Sequence, residues 1–127
     1  MELWVKIDGE KRKYQGSFKA VMEKLVEEGK GKKVELLSFH APQKERRRLK
    51  RELRAHGKDL LKTASYMARW FYQIEERRLR RRIKELKKKA KRLSKGELVY
   101  DPKKLEQIKQ LEQSLERVRE RIKQLVV

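Results

Sequence analysis

The sequence predicts an α+β protein, predominantly α: a small ββαβ module over residues 1–42, followed by long basic helices over 43–127 that end in an antiparallel coiled-coil helical hairpin. Three observations predict it. Residues 3–15 alternate with period two around an Asp-Gly pair, residues 18–26 change to helical spacing, and no proline interrupts the helical pattern between Gln43 and Pro102.

In the opening segment Leu3, Val5 and Ile7 share one strand face while Trp4 and Lys6 share the other, and Asp8-Gly9 suits a two-residue hairpin turn. The return strand, Glu10 to Gln15, is polar apart from Tyr14, and its lysines and arginine mark it as an edge. Trp4 and Tyr14 are expected to pack on a shared hairpin face, as cross-strand aromatic pairs do. Ser17 caps a helix in which Phe18, Val21, Met22, Leu25 and Val26 recur at i, i+3, i+4, i+7 and i+8, with its end near Gly29. Val34 to Phe39 forms a third strand, and Ala41-Pro42 closes the module.

Beyond Pro42, His56-Gly57 predicts a break or bend. Leu79, Ile83, Leu86, Ala90 and Leu93, spaced by fours and threes, give one seam of a two-helix coil, with Gly96 as its stop. Asp101-Pro102 supplies a cap followed by proline at the first helical position, and Leu105, Ile108, Leu111, Leu115, Val118, Ile122 and Leu125 give the second seam. The hairpin helices are therefore placed at about 59–95 and 102–126, antiparallel because their connection is short. The returning helix, ~24 residues and ~36 Å long, covers the basic segment back to about Tyr72. The belt upstream of it (Leu60, Leu61, Ala64, Met67, Ala68, Trp70, Phe71 and Ile74) is too apolar for an exposed helix. It must bury against the N-terminal module or a second copy, which makes a homodimer or higher oligomer an expected partner.

Composition narrows the function. The 127 residues carry a formal charge of +19, concentrated in 43–95, where 22 Lys and Arg face 6 Asp and Glu; the segments before and after hold 9 against 7 and 7 against 6. Adaptation to heat or solubility mixes both signs everywhere, so a local excess asks for a local polyanion. Without cysteines the chain can build neither a disulfide framework nor a thiolate metal site. No window approaches ~18 uninterrupted apolar residues and no leader pattern opens the chain, which predicts a cytoplasmic protein with no membrane span, nucleoid- or virion-associated. Abundant Lys and Glu with short loops lean towards a thermophile.

Two groups of side chains carry the functional expectation. Arg77, Arg81, Lys84, Lys88, Lys91 and Lys95 repeat at four and three on the face opposite the first seam. Neighbours there lie ~5 to 6 Å apart, near the spacing of backbone phosphates, and like charges at i,i+4 cost ~0.2 to 0.5 kcal/mol per pair unless something neutralises them. Upstream, Arg46, Arg47, Arg48, Arg51 and Arg54 lie in a second basic run, whose ridge extends to Lys58 and Lys62 if no sharp break intervenes. Arginine's planar fork grips phosphate oxygens in a bidentate way. Tyr66, Trp70, Phe71 and Tyr72 could stack on unpaired bases, but the setting of Trp70 and Phe71 among Leu61, Met67, Ala68 and Ile74 favours packing for those two.

Neither His40 nor His56 has acidic neighbours at metal-binding or acid–base spacing, so structural or solvent-facing roles are expected. Glu75-Glu76 reads as a source of internal salt bridges. No phosphate loop, nucleophile motif or zinc spacing is present, and so neither enzymatic activity nor a cofactor or metal is expected. The sequence thus predicts a nucleic-acid-binding protein that grips the phosphate backbone, DNA narrowly ahead of RNA, with little base specificity. The alternatives are an oligomeric assembly or nucleoprotein scaffold of a virus or mobile element such as a plasmid, and a helical protein attached to anionic membranes.

Overall fold

A computed structural model describes residues 1–94 and 97–127, with 92–94 and 97–100 described by their backbone alone. The protein is α+β and mainly α. Two compact units divide it: Met1–Phe71 with Leu125–Val127, and Tyr72–Gln124.

The first unit begins with the hairpin that alternation dictates. Strand β1 (Glu2–Ile7) pairs antiparallel with β2 (Glu10–Gln15), Ile7 facing Glu10. Asp8 and Gly9 have φ of +49° and +84°, the paired left-handed conformations of a two-residue turn that follows the natural twist of the strands. In this register Tyr14 faces Leu3 and Trp4 faces Lys13. The two aromatics therefore lie on opposite faces, contrary to the expectation that they share one: Tyr14 is buried and Trp4 is exposed, with the Lys13 ammonium 5.2 Å from its ring centre.

Helix α1 (Phe18–Gly29) starts where the Ser17 hydroxyl accepts a hydrogen bond from the Ala20 amide at 3.2 Å. It buries Phe18, Val21, Met22, Leu25 and Val26, while Leu3, Val5, Ile7 and Tyr14 are buried on the sheet face it packs against. Gly29 is not the left-handed cap that its position suggests. It is the last residue of the helix, and a Cβ there would stand 2.8 Å from Val34 Cγ2 and 3.3 Å from Leu61 Cδ1, so close packing demands the glycine. Strand β3 (Val34–His40) joins the other edge of β1 and gives the sheet order β2-β1-β3, with a register shift between Trp4 and Val5.

The Tyr14 hydroxyl donates to the Glu28 carboxylate, which also lies 3.5 Å from Arg12 Nη1, and this contact ties β2 to α1. Burial, and next the hydrogen bond to Glu28, push the Tyr14 phenol up from 10.0 to about 12. Folding favours the neutral phenol, so its contribution to stability is complete below pH 10.0 and is lost as pH rises through about 12. Tyrosinate absorbance of the native protein should therefore contain a component with a midpoint near 12 that Tyr14→Phe removes.

Helix α2 (Gln43–Ala55) ends at the predicted break. Gly57 and Lys58 have φ of +65° and +62°; the Lys58 amide reaches the Leu53 carbonyl at 2.7 Å and the Gly57 amide reaches that of Arg54 at 3.4 Å, a closing pattern that satisfies the last carbonyls of the helix. Lys58 and Lys62 consequently do not continue a ridge from Arg47, Arg51 and Arg54. Helix α3 (Leu60–Ala90) is capped by Asp59, whose carboxylate accepts from the Lys62 amide at 3.0 Å. From Leu60 to Phe71 the apolar belt lies within the first unit. Leu60, Ala64, Met67 and Ala68 are buried, Phe71 meets Phe18 edge to face at 6.0 Å, and the buried Ser65 hydroxyl donates to the Leu125 carbonyl at 2.5 Å.

In the second unit Ile83, Ala90, Ile108 and Leu115 form a core with Leu79, Leu86 and Leu111 packed against it, which joins α3 to α4 (Pro102–Gln124). The ion pairs Glu76 with Arg119 at 3.7 Å and Lys87 with Glu112 at 3.5 Å run in antiparallel order. Asp101 caps α4 by accepting from the Lys103 amide at 3.0 Å.

The connection corrects the expected helix over 59–95. Helix α3 stops at Ala90, and β4 (Lys91–Ser94) pairs antiparallel with β5 (Glu97–Tyr100), Leu93 opposite Leu98 and Ser94 opposite Glu97. Leu98-Val99-Tyr100 is a strand-forming run, and pairing with it draws Lys91 to Ser94 out of the helix. The Asp101 amide then caps the Ala90 carbonyl at 3.0 Å, and Lys104 Nζ reaches the Lys89 carbonyl at 3.3 Å. Leu93, expected in the helical seam, thus falls in β4, and Lys91 leaves the helical ridge. Lys95 and Gly96, expected as the last ridge lysine and the helix stop, lie outside the described residues. Among the described residues no helix is long and apolar enough to cross a membrane.

Candidate nucleic-acid interface

Each unit carries its own basic surface. In the second unit the seam residues Leu79, Ile83, Leu86 and Ala90 turn one side of α3 towards α4, and helical geometry then sends Arg77, Arg81, Lys84 and Lys88 outward. All four are exposed, and none is paired with a carboxylate among the described residues. Two neighbours on one side of the ridge are paired: Arg80 lies 2.9 Å from Glu76, and Lys87 pairs with Glu112. Glu76 also receives Arg119, which fits the expectation that Glu75-Glu76 serves internal salt bridges. The ridge keeps its charge unbalanced, as do the exposed Arg78, Arg82 and Lys89 on its other side, which make no ion pair among the described residues. Lys84 and Lys88 also line a groove of about 600 Å³ together with Ile83, Leu115 and Glu116. Lys91, exposed on β4, lines the same groove.

In the first unit α2 buries Leu49 and half-buries Leu53, which turns most of its cations to solvent. Arg46, Arg47, Arg51 and Arg54 are exposed. Arg48 differs: its guanidinium lies 4.0 Å from the ring centre of Trp70 and 5.5 Å from that of Phe71. Trp70 meets Phe71 edge to face at 5.2 Å, so a column from Phe18 through Phe71 and Trp70 to Arg48 links α1, α3 and α2. The packing role expected for Trp70 and Phe71 holds, and it recruits one of the expected phosphate ligands.

Beside that column α2 and α3 enclose an open cleft of about 700 Å³, lined by Gln43, Lys44, Arg47, Arg48, Arg51 and Glu52 from α2 and by Tyr66, Met67 and Trp70 from α3. Tyr66 remains 40% exposed, its ring 4.7 Å from that of His56, which in turn lies 3.7 Å from Glu52. The periodicity of α3 puts Tyr66 on the side away from the belt and leaves it open as a stacking candidate, but its place opposite an arginine-rich helix depends on how α2 lies against α3, which no spacing within either helix encodes. Among the described residues no group of three His, Cys, Asp or Glu side chains is arranged to hold a metal ion.

A small, mainly helical α+β protein with two basic surfaces is what the geometry defines. The chain is similar to an uncharacterized protein of the thermophile Aquifex aeolicus (strain VF5), 58% identical over 127 residues that make up 100% of both chains, and it belongs to the family of that protein. The Lys- and Glu-rich composition accords with such a relative. No protein-family model matches the chain, and no solved structure matches it.

Proposed function

We propose that the protein binds nucleic acid through the phosphate backbone, using α2 in the first unit and the exposed ridge of α3 in the second, with little dependence on base sequence. The observation that carries this reading is the row Arg77, Arg81, Lys84 and Lys88, exposed on one helical face and unmatched by carboxylates among the described residues while the flanking Arg80 and Lys87 are paired. A helix gains nothing in stability from such a row, since like charges three and four apart repel. A row of phosphates removes that cost and releases condensed counterions. Arg46, Arg47, Arg51 and Arg54 add exposed forks suited to phosphate oxygens.

The test is the salt dependence of duplex DNA binding. About six to eight phosphate contacts give a log-log slope of roughly −5 to −7, so affinity should fall steeply between low and moderate salt. Fluorescence anisotropy with a labelled duplex reads this directly, and a flat dependence would sink the proposal. Vesicles of anionic lipid form the control: sedimentation with them in place of DNA binding would assign the charge to a membrane surface instead.

A further inference from the structure

We infer that the cleft between α2 and α3 in the first unit receives one unpaired nucleotide of a single-stranded nucleic acid, its base against Tyr66 and its phosphate against Arg47 and Arg51. This rests on the backbone-binding reading above and adds to it the class of strand and the place where a base is held.

The first argument is composition of the wall. A cleft of about 700 Å³ falls in the range of small-ligand sites, and this one sets aromatic side chains on one helix against cations on the other. A nucleotide has that same division, a flat π-face at one end and a phosphate at the other. Base–aromatic stacking tolerates any sequence, because every base has a π-face. A phosphopeptide or free anion would use the arginines and leave the aromatic wall unexplained.

The second argument is the division of labour between the two arginine positions. The Arg48 guanidinium lies over Trp70, 4.0 Å from its ring centre, and is committed to holding α2 on α3. Arg47 and Arg51, one helical turn apart, are exposed on the same cleft; Arg51 has a loose partner in Glu52 at 3.9 Å and Arg47 makes no ion pair among the described residues. The wall that touches ligand is thus distinct from the wall that holds the helices together. Tyr66 is 40% exposed although its helix neighbours Ala64, Ser65, Met67 and Ala68 are buried, and its ring is supported by His56 at 4.7 Å. A tyrosine held open at the mouth of a cationic cleft fits a stacking platform.

The third argument concerns the strand. In a duplex the bases are stacked inside and present edges to the grooves, not faces, so a cleft of this kind reads a nucleotide only where pairing is absent. Duplex DNA can still bind through phosphate contacts without filling it.

The experiment compares single-stranded oligothymidylate, oligouridylate and a DNA duplex of equal length, under one salt condition, on the full chain and on Tyr66→Ala and Tyr66→Phe. Tyr66→Ala should weaken binding of both single strands about ten-fold, while duplex affinity changes less than about two-fold and Tyr66→Phe retains single-strand affinity. A Trp4→Phe background leaves Trp70 as the one tryptophan, whose emission should be quenched to saturation by single strands and not by duplex. Equal loss for single strand and duplex in Tyr66→Ala, or no loss for either, overturns the inference. So does free adenosine monophosphate binding as tightly as the oligonucleotides. Should affinity be steeply salt-dependent but indifferent to Tyr66, the cleft reading falls and the backbone reading stands; should no nucleic acid bind with a salt slope, the backbone reading itself fails.

Discussion

Changing Arg77, Arg81, Lys84 and Lys88 together to glutamine is expected to weaken duplex DNA binding on the order of a thousand-fold near ~0.1 M salt and to flatten the log-log slope by about 3 to 4. The size follows from counterion release. Each phosphate neutralised contributes roughly −0.9 to the slope, so four contacts amount to about −3.6, and at ~0.1 M that exponent corresponds to three to four orders of magnitude in affinity. Glutamine is nearly as good a helix former as arginine or lysine, and the substitutions remove repulsion at 77/81, 81/84 and 84/88, so the melting temperature should hold or rise. That pairing of results, weaker binding with equal or better stability, separates a ligand surface from a structural one. A structural role for the four cations would instead lower the melting temperature, and unchanged affinity would shift the interface to Arg46 through Arg54.

What the sequence made legible follows the range of the interaction concerned. The Asp8-Gly9 turn, the Ser17 and Asp101 caps and the end of α2 at Gly57 each depend on a few adjacent residues, and each stands where local chemistry puts it. Register was legible in principle too: counting outward from Ile7 opposite Glu10 brings Tyr14 to Leu3, so its separation from Trp4 follows from the turn itself. The β4–β5 pair was not legible, because Leu93 fits a seam with period three to four as well as it fits a strand, and pairing with residues 97–100 decides between them. The candidate site splits the same way. The outward face of Arg77, Arg81, Lys84 and Lys88 is fixed by the seam on their own helix, whereas Arg48 on Trp70 and the open position of Tyr66 depend on how α2 lies against α3. No spacing within either helix encodes that.

How α2 is held against α3 can be measured through Leu49. Helix α2 contains seven Lys and Arg against two Glu in 13 residues, so its own charge works against keeping it on the module. Opposing that are Leu49, fully buried at 0% exposure, the half-buried Leu53, and the Arg48–Trp70 stack. Leu49→Ala should cost about 2 to 5 kcal/mol, since it removes buried area and leaves a cavity beneath a helix with few other anchors. The stack is worth about 0.5 to 2 kcal/mol, so Arg48→Ala should cost less. In a unit of this size each kcal/mol moves the melting temperature by roughly 4 to 8 °C, which puts the Leu49→Ala fall on the order of 10 to 30 °C by circular dichroism. Below its melting point the variant should keep the share of duplex binding that the α3 ridge supplies, whose residues lie in the other unit, and lose the hold of the cleft on single strands as α2 loosens and Arg47 and Arg51 no longer face Tyr66. A smaller fall for Leu49→Ala than for Arg48→Ala would mean that the guanidinium, not the leucine, fastens α2. The arginine-rich helix would then be attached chiefly by a contact that a competing phosphate can loosen.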